Sequence, residues 1–283
     1  QWDFNSNPAD ANTGTGIVTP STGAGIATTV GSTSPSFASG DANGGSTDPA
    51  TGDDTGWNIT SYAAQGTGDK SKGAQFSAST AGFQNISVKW DQRHSNTSPR
   101  HVQLQYTTDG SNWIDLGNPF IGNAGDTWFN NRSTDLSSIP AANNNPNFGV
   151  RIVATFAPGT SAYAASNTSS NYATTGTWRL DMVTISGTPL CSTPAGTLSN
   201  SGPVCPSGSV NLTFNATAGT GPFSIVVNGV TYNNVISGTP FVTLTEGIQF
   251  TGATTFTLTQ ITDANACEVT GLQVQTNVAV SSL

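Results

Sequence analysis

His101-Val102-Gln103-Leu104-Gln105-Tyr106-Thr107-Thr108-Asp109-Gly110-Ser111-Asn112-Trp113 decides the fold class. Val102, Leu104 and Tyr106 recur with period two, which puts them on one face of a strand and cannot form a helical stripe. Asp109-Gly110 follows, and Asp-Gly beside an alternating run signals a tight hairpin. The pattern repeats outward in both directions. Ile86, Val88 and Trp90 share a face of one run; Val150, Ile152 and Ala154 share a face of another; Trp178, Leu180 and Met182 share a third. No segment longer than about two turns combines helical periodicity with caps. The chain therefore reads as all-β.

Thr29 to Gly56 departs from the alternation. Gly, Ser, Asp and Pro dominate it, with room for one short strand near Pro35 to Ala38. Loops longer than about 15 residues inside compact domains are usually functional or mobile. This one concentrates hard oxygen donors. Calcium takes six to eight oxygens from carboxylates, carbonyls and amides, so Asp41, Asp48, Asp53 and Asp54 are candidate ligands. Asp3 and Asp181 join them if the terminal strands pair. The residue order is neither an EF-hand nor a nonapeptide calcium repeat, and an ordinary turn-rich loop is the competing reading. No motif requires a cofactor.

Only 8% of the 283 residues are charged, against roughly 25% in ordinary domains. The net charge is −8, so the basic footprint of a nucleic-acid binder is absent. No run of 18 apolar residues predicts membrane insertion. Trp, Phe, Val and Ile recur too regularly for a disordered chain. Sparse charge also removes the repulsion that keeps copies of a protein apart. A first residue of Gln rather than Met fits a mature protein trimmed after export.

Composition changes near Gly187-Thr188-Pro189. Every Trp, Lys, Arg and His precedes this point, and Cys191, Cys205 and Cys267 follow it. Such different inventories predict two domains, 1–187 and 191–283, on a short linker. The second reads as strands at Ser209–Phe214, Phe223–Val227, Val230–Tyr232, Phe241–Leu244, Thr255–Ile261 and Leu272–Val278, with Asn228-Gly229 as a hairpin turn. That density suits an immunoglobulin-like sandwich. With no C-x-x-C pair and no clustered His, a disulfide is expected rather than zinc. Three cysteines allow three single pairings; Cys205–Cys267, closing a long loop, is the expected one, leaving Cys191 over.

Chemistry finds little footing. Nucleophilic catalysis needs a nucleophile, a base and an orienting group. His94 with Asp91 behind it is the best available base, but no nucleophile elbow accompanies it, and the stretch Arg93 to His101 reads as a solvated cluster at strand ends. Sugar binding uses exposed aromatic faces, for which Trp57, Trp113 and Trp128 are candidates; core burial is the competing reading. No catalytic residue is expected.

Cys191-Ser-Thr-Pro-Ala-Gly-Thr-Leu198, Gly202-Pro-Val-Cys205-Pro-Ser-Gly-Ser-Val210-Asn-Leu-Thr-Phe214, Asn228-Gly229-Val-Thr-Tyr232 and Thr262-Asp263-Ala-Asn265-Ala-Cys267 together carry a likeness. Over roughly residues 191 to 280 the chain resembles the immunoglobulin-like repeats of giant secreted adhesins from gliding-type bacteria. Ala266 stands where those repeats have Gly. Trp2-Asp3-Phe4-Asn5 and Trp178-Arg-Leu-Asp181-Met-Val-Thr-Ile185-Ser-Gly187 look like the first and last strands of the jelly-roll modules of secreted bacterial proteins, which pair in such folds. The resemblance implies a jelly-roll-like β-sandwich followed by an immunoglobulin-like one, export by a type IX style route with the C-terminal sorting domain removed, and residence at the cell surface.

The expected function is that of a non-enzymatic, secreted structural or adhesive protein that associates with copies of itself into a filament. Gln1, Trp2, Phe4, Val274, Val278 and Val280, near the chain ends, are the candidate joint by strand addition. The alternative is a carbohydrate-binding module, with surface glycans as partner.

Overall fold

The computed structural model describes residues 1–50 and 52–281. Contacts divide the chain into two units, Gln1–Thr188 and Pro189–Leu283. All regular structure among the described residues is β, apart from two three-residue 3-10 turns, Ala42–Gly44 and Pro140–Ala142.

The first unit runs through β1 (Ile26–Val30), β2 (Ser34–Ser39), β3 (Thr55–Thr60), β4 (Gly73–Ser77), β5 (Phe83–His94), β6 (His101–Thr107), β7 (Ile114–Ile121), β8 (Trp128–Asp135), β9 (Gly149–Thr155) and β10 (Trp178–Pro189). They form two five-stranded sheets, ordered β1-β4-β9-β6-β7 and β2-β3-β10-β5-β8. The hairpin expected at Asp109-Gly110 joins β6 to β7, with Tyr106 opposite Ile114. Asp109 Oδ1 holds its loop by accepting the N–H groups of Ser111 (2.8 Å) and Asn112 (2.7 Å), as Asp does in tight turns. The residues that alternate in sequence are those buried between the sheets: Ile86, Val88, Trp90, Val102, Leu104, Val150, Ile152, Trp178 and Leu180. The short strand expected near Pro35 to Ala38 is β2, antiparallel to β3.

The chain start belongs to this core. Trp2 bridges Val183 in antiparallel fashion, its N–H donating to Val183 O (2.8 Å). Trp2 and Phe4 lie in an aromatic group with Trp57 and Phe76, ring centroids 5.2–6.4 Å apart. Such pairs favour tilted and offset geometries. Trp2 and Phe4 are therefore no free joint for another molecule: both are withdrawn from the surface. Trp57 is equally interior and offers no sugar platform.

The second unit contains β11 (Ala195–Asn200), β12 (Ser209–Ala218), β13 (Phe223–Val227), β14 (Val230–Val235), β15 (Pro240–Thr245), β16 (Thr254–Thr262) and β17 (Glu268–Val278). Its sheets are ordered β11-β12-β15 and β14-β13-β16-β17. Val227 faces Val230 across Asn228-Gly229, whose φ values of 49° and 79° are those of the hairpin turn the pair favours. Leu212, Phe214, Ile225, Leu258 and Val278 fill the core. Val278 is thus packed inward, and Val274 and Val280 are partly buried against the same core, while β17 itself ends its sheet.

The disulfide joins Cys191 to Cys267, with Cα atoms 5.2 Å apart, and Cys205 is free and exposed. This corrects the expected Cys205–Cys267 pairing. The reason is topological. Val204 bridges Val280, past the far end of β17, whereas Cys267 immediately precedes its start. Eleven strand residues separate the two positions by roughly 35 Å, far beyond disulfide reach. Cys191 lies at the correct end: Pro194 packs beside Gly219, and Thr220 N–H donates to Asp263 (3.0 Å) in the turn that carries Cys267.

Candidate metal centre

The loop between β2 and β3 is closed at its base, where Gly40 N–H donates to Asp54 O (2.8 Å) and Ser46 N–H returns to Gly40 O (3.0 Å). A Cβ on Gly40 would stand 1.6 Å from Asp54 Oδ1, so only glycine lets that carboxylate take its place. Asp91 anchors the loop's middle. Its neighbours Trp90 and Gln92 point between the sheets, so Asp91 points to the outer face. There it accepts Thr47 N–H and Oγ1–H and Asn131 N–H, each at 2.6 Å. Trp128 Nε1 donates to Ala42 O (2.9 Å), and Asn130 Nδ2 to Gly45 O (2.9 Å). From the chain start, Asn5 Nδ2 donates to Asp48 Oδ2 (2.8 Å) while Asn5 Oδ1 accepts Thr55 N–H (2.9 Å).

β10 supplies the remaining acid. Trp178 and Leu180 face the core, so Asp181 projects to the side where the loop lies. Met182 has φ 49°, and Phe4, next to Asp3 and Asn5, has φ 59°. Non-glycine residues rarely adopt this region, and such strain persists where the surroundings enforce it, often at functional sites.

Asp48, Asp54 and Asp181 thereby converge: one carboxylate oxygen from each lies within 4.8 Å of the others. Asp54 and Asp181 are buried, and Asp54 Oδ1 and Asp181 Oδ2 have no hydrogen-bond partner. Among the described residues the ion pairs are Lys70–Asp115 and Arg93–Asp126, so no protein cation neutralises the group. Burial, reinforced by the Asp48 and Asp41 charges, pushes the Asp54 carboxyl up to about 7. Burial, together with the Asp54 and Asp48 charges, also holds Asp181 well above the usual carboxylate range. Oxygens placed opposite each other around calcium at about 2.4 Å are about 4.8 Å apart, so the spacing fits a hard divalent cation.

Of the four loop acids read from sequence, Asp48 and Asp54 join this group. Asp41 is exposed and stands outside the group, though its charge helps raise the Asp54 carboxyl. Asp53 turns the other way, where its Oδ2 accepts Asp10 N–H (3.3 Å). Asp181 joins because the terminal segments do pair.

Trp128 is spent on the loop anchor and is almost fully buried; Trp113 is half-buried, with the Arg151 guanidinium 3.9 Å from its ring centroid. Trp128 therefore offers no open aromatic face, and Arg151 covers one face of Trp113. His94 and Asp91 do not form a base and its orienting acid. His94 Nδ1 meets Pro99 O (3.0 Å), and the two side chains leave β5 on opposite faces. Nor is His94 solvated, as the sequence suggested: it is completely buried. The signal was present, since Gln92 and His94 continue the alternation of Ile86, Val88 and Trp90.

No protein-family model matches the chain, and no curated protein matches it. Among solved structures, a β-1,2-glucanase from Parabacteroides distasonis is similar at TM-score 0.31 and 12% identity, over 90% of this chain and 37% of the enzyme. The K1 cleaved adhesin domain of Lys-gingipain from Porphyromonas gingivalis W83 is similar at TM-score 0.31 and 14% identity, over 58% of this chain and 99% of that domain. The adhesin domain of Epf from Streptococcus pyogenes is similar at TM-score 0.28 and 8% identity, over 80% of this chain and 77% of that one. The neighbours thus include adhesin domains and a glycoside hydrolase alike. No helix among the described residues is long and apolar enough to cross a membrane.

Proposed function

We propose that the chain is a non-enzymatic extracellular structural or adhesive module whose first sandwich is completed by calcium at Asp48, Asp54 and Asp181. The observation that carries this reading is the pair of buried carboxylates, Asp54 and Asp181, each with an unpartnered oxygen and no protein cation beside it. An uncompensated buried charge is costly, and a divalent ion removes that cost. It would also tie three separate parts of the chain together: the loop, β10 and, through Asn5 on Asp48, the N-terminal segment. Extracellular modules commonly hold calcium with Kd near 10⁻⁴–10⁻³ M, suited to a compartment where the ion is abundant. The Cys191–Cys267 disulfide supports the same location, because disulfides persist where the surroundings oxidise.

Copies of the chain are the proposed partner. β14 ends its sheet, and such an edge accepts strand addition. Val230, on that strand, and Ile236, just beyond it, are exposed apolar side chains. A contact between unlike surfaces propagates as a filament when its rotation does not close. Electron microscopy and light scattering of the full chain, with calcium and with chelator, test both parts. Concentration-dependent filaments in calcium are expected. Monomers at every concentration would remove self-association, and thermal unfolding indifferent to calcium would remove the ion.

A second reading has one observation in its favour. A groove of about 760 Å³ in the first unit is lined by Trp2, Gly25, Ile26, Ser77, Phe83 and Phe148, with the Phe83 ring partly exposed. A glycan array with wild type and Phe83→Ala tests it; binding that survives the substitution removes Phe83 from the case.

A further inference from the structure

The interior of the first sandwich carries an uncompensated positive charge. Arg132 lies directly opposite Trp90 in the β5–β8 register, so both side chains enter the space between the sheets. It is 2% exposed. Its Nη2 donates to Ile121 O (2.7 Å) on β7, while Nε and Nη1 have no partner. Among the described residues no carboxylate pairs with it. Asp91, the nearest acid along β5, is on the outer face and fully engaged with Thr47 and Asn131. Asp126 is paired with Arg93. The rings of Phe129 and Phe120, 4.2 and 5.6 Å from the guanidinium carbon, offset part of the charge.

Other unpartnered nitrogens share this space. Gln92 and His94 follow Trp90 on the inward face of β5, and both are completely buried. Gln92 Oε1 accepts Trp90 Nε1–H (3.1 Å), which leaves Gln92 Nε2 without a partner. His94 Nδ1 meets Pro99 O, which leaves Nε2 without one. The group is compact. Trp90 and Arg132 both contact Phe120, and Arg132 bonds Ile121 while the His94 ring packs on Gly122, where any Cβ would stand 2.6 Å from it.

We infer that this space binds a small monovalent anion of the halide class, held by the Arg132 guanidinium and the Gln92 side-chain amide. One unbalanced positive charge calls for one negative charge, since a lone buried ion is strongly destabilising. Arg cannot shed its proton to escape this cost. The walls are aromatic, so a weakly hydrated ion such as chloride or bromide enters more readily than fluoride or sulfate. Burial, followed by the Arg132 charge, depresses His94 to about 3, so these surroundings disfavour a second cation. A bound anion offsets that repulsion and raises the affinity of His94 for a proton. The ion would fasten β8 to β7, the facing edges of the two sheets.

The test uses the full chain with calcium held constant. Thermal unfolding is compared in sodium chloride, bromide and gluconate at equal ionic strength, and crystals grown in bromide are measured for anomalous scattering. The expected result is a Tm higher by about 3–6 °C in the halides, lost in Arg132→Met, and a bromide peak against the Arg132 guanidinium. Should Arg132→Met not fold, the wild-type bromide map decides alone. Equal Tm in all three salts, or ordered water in place of bromide beside Arg132, overturns the assignment.

Discussion

Removing one carboxylate from the acidic group should have opposite effects with and without calcium. Consider Asp54→Asn. A carboxyl held at about 7 rather than 3.8 corresponds to roughly 4 kcal/mol of desolvation and like-charge repulsion in the ionised form. Solvent reaching the loop screens part of this, leaving about 2 kcal/mol. Because the folded-state value is raised, the protonated group favours the native state at pH 4. That advantage fades as pH climbs through 7, where the native state must hold the charge or release it into calcium. In chelator, wild type should therefore unfold at lower temperature at pH 8 than at pH 5, and Asp54→Asn should flatten the slope and raise the pH 8 Tm by about 4–8 °C. Calcium reverses the order. Its ligands must be deprotonated, so its benefit grows from pH 5 to pH 8. At a hundredfold excess over Kd it contributes about 2.7 kcal/mol to wild type and little to the variant. Asp181→Asn should behave in the same way. Differential scanning calorimetry at two pH values, with calcium and with chelator, reads all four states. The reasoning fails if calcium leaves the wild-type Tm unmoved at pH 8, or if Asp54→Asn lowers the Tm equally in calcium and in chelator.

Other expectations are simpler. Native protein should present one reactive thiol per chain to a maleimide, absent in Cys205→Ser; Cys191→Ser should instead destabilise the second unit by about 2–4 kcal/mol, read by denaturant unfolding. Ala266 sits at φ 60°, a conformation that costs non-glycine residues about 1 kcal/mol or more, so Ala266→Gly should be stabilising by about 0.5 kcal/mol in the same assay. His94 is depressed to about 3, so the native state resists its protonation and loses stability as pH falls below 6.5. His94→Gln should shallow the acid limb of a Tm-against-pH curve, and an unchanged limb would show that another group dominates it. Gly122→Ala should destabilise the first unit by about 1–3 kcal/mol, because the added methyl must displace the buried His94 ring.

Much of the fold was legible because strand alternation is a local signal. Ile86-x-Val88-x-Trp90 and Val102-x-Leu104-x-Tyr106 need only the two-residue period to declare a face, and Asn228-Gly229 needs only its tolerance of positive φ. The disulfide was not legible, because Cys205 and Cys267 are separated by the length of β17, and only sheet order reveals at which end each lies. Asp181 was half legible. Its place in β10 could be read from Trp178 and Leu180, but its meeting with Asp48 and Asp54 depends on a loop of about 15 residues folding back over the sheet.

The most informative misreading concerns β5. Polarity made His94 look like part of a solvated strand end, although with Gln92 it keeps the period of the apolar residues before it. Period and polarity disagree there, and period won, because a strand inside a sandwich cannot turn a face outward without a bulge on its own side. The irregularity opposite Asp91 falls where β8 spends two residues, Asn130 and Asn131, against one on β5, so β5 keeps its facing and carries Gln92 and His94 inward toward Arg132. Local consistency breaks only where a sequence gains something elsewhere. Among the described residues, two such places are the acids gathered behind β10 and the nitrogens gathered behind β8. Each leaves buried polar atoms unpartnered by protein, with opposite sign of charge. A cation at one and an anion at the other would balance both with a single rule, that buried charge is paired.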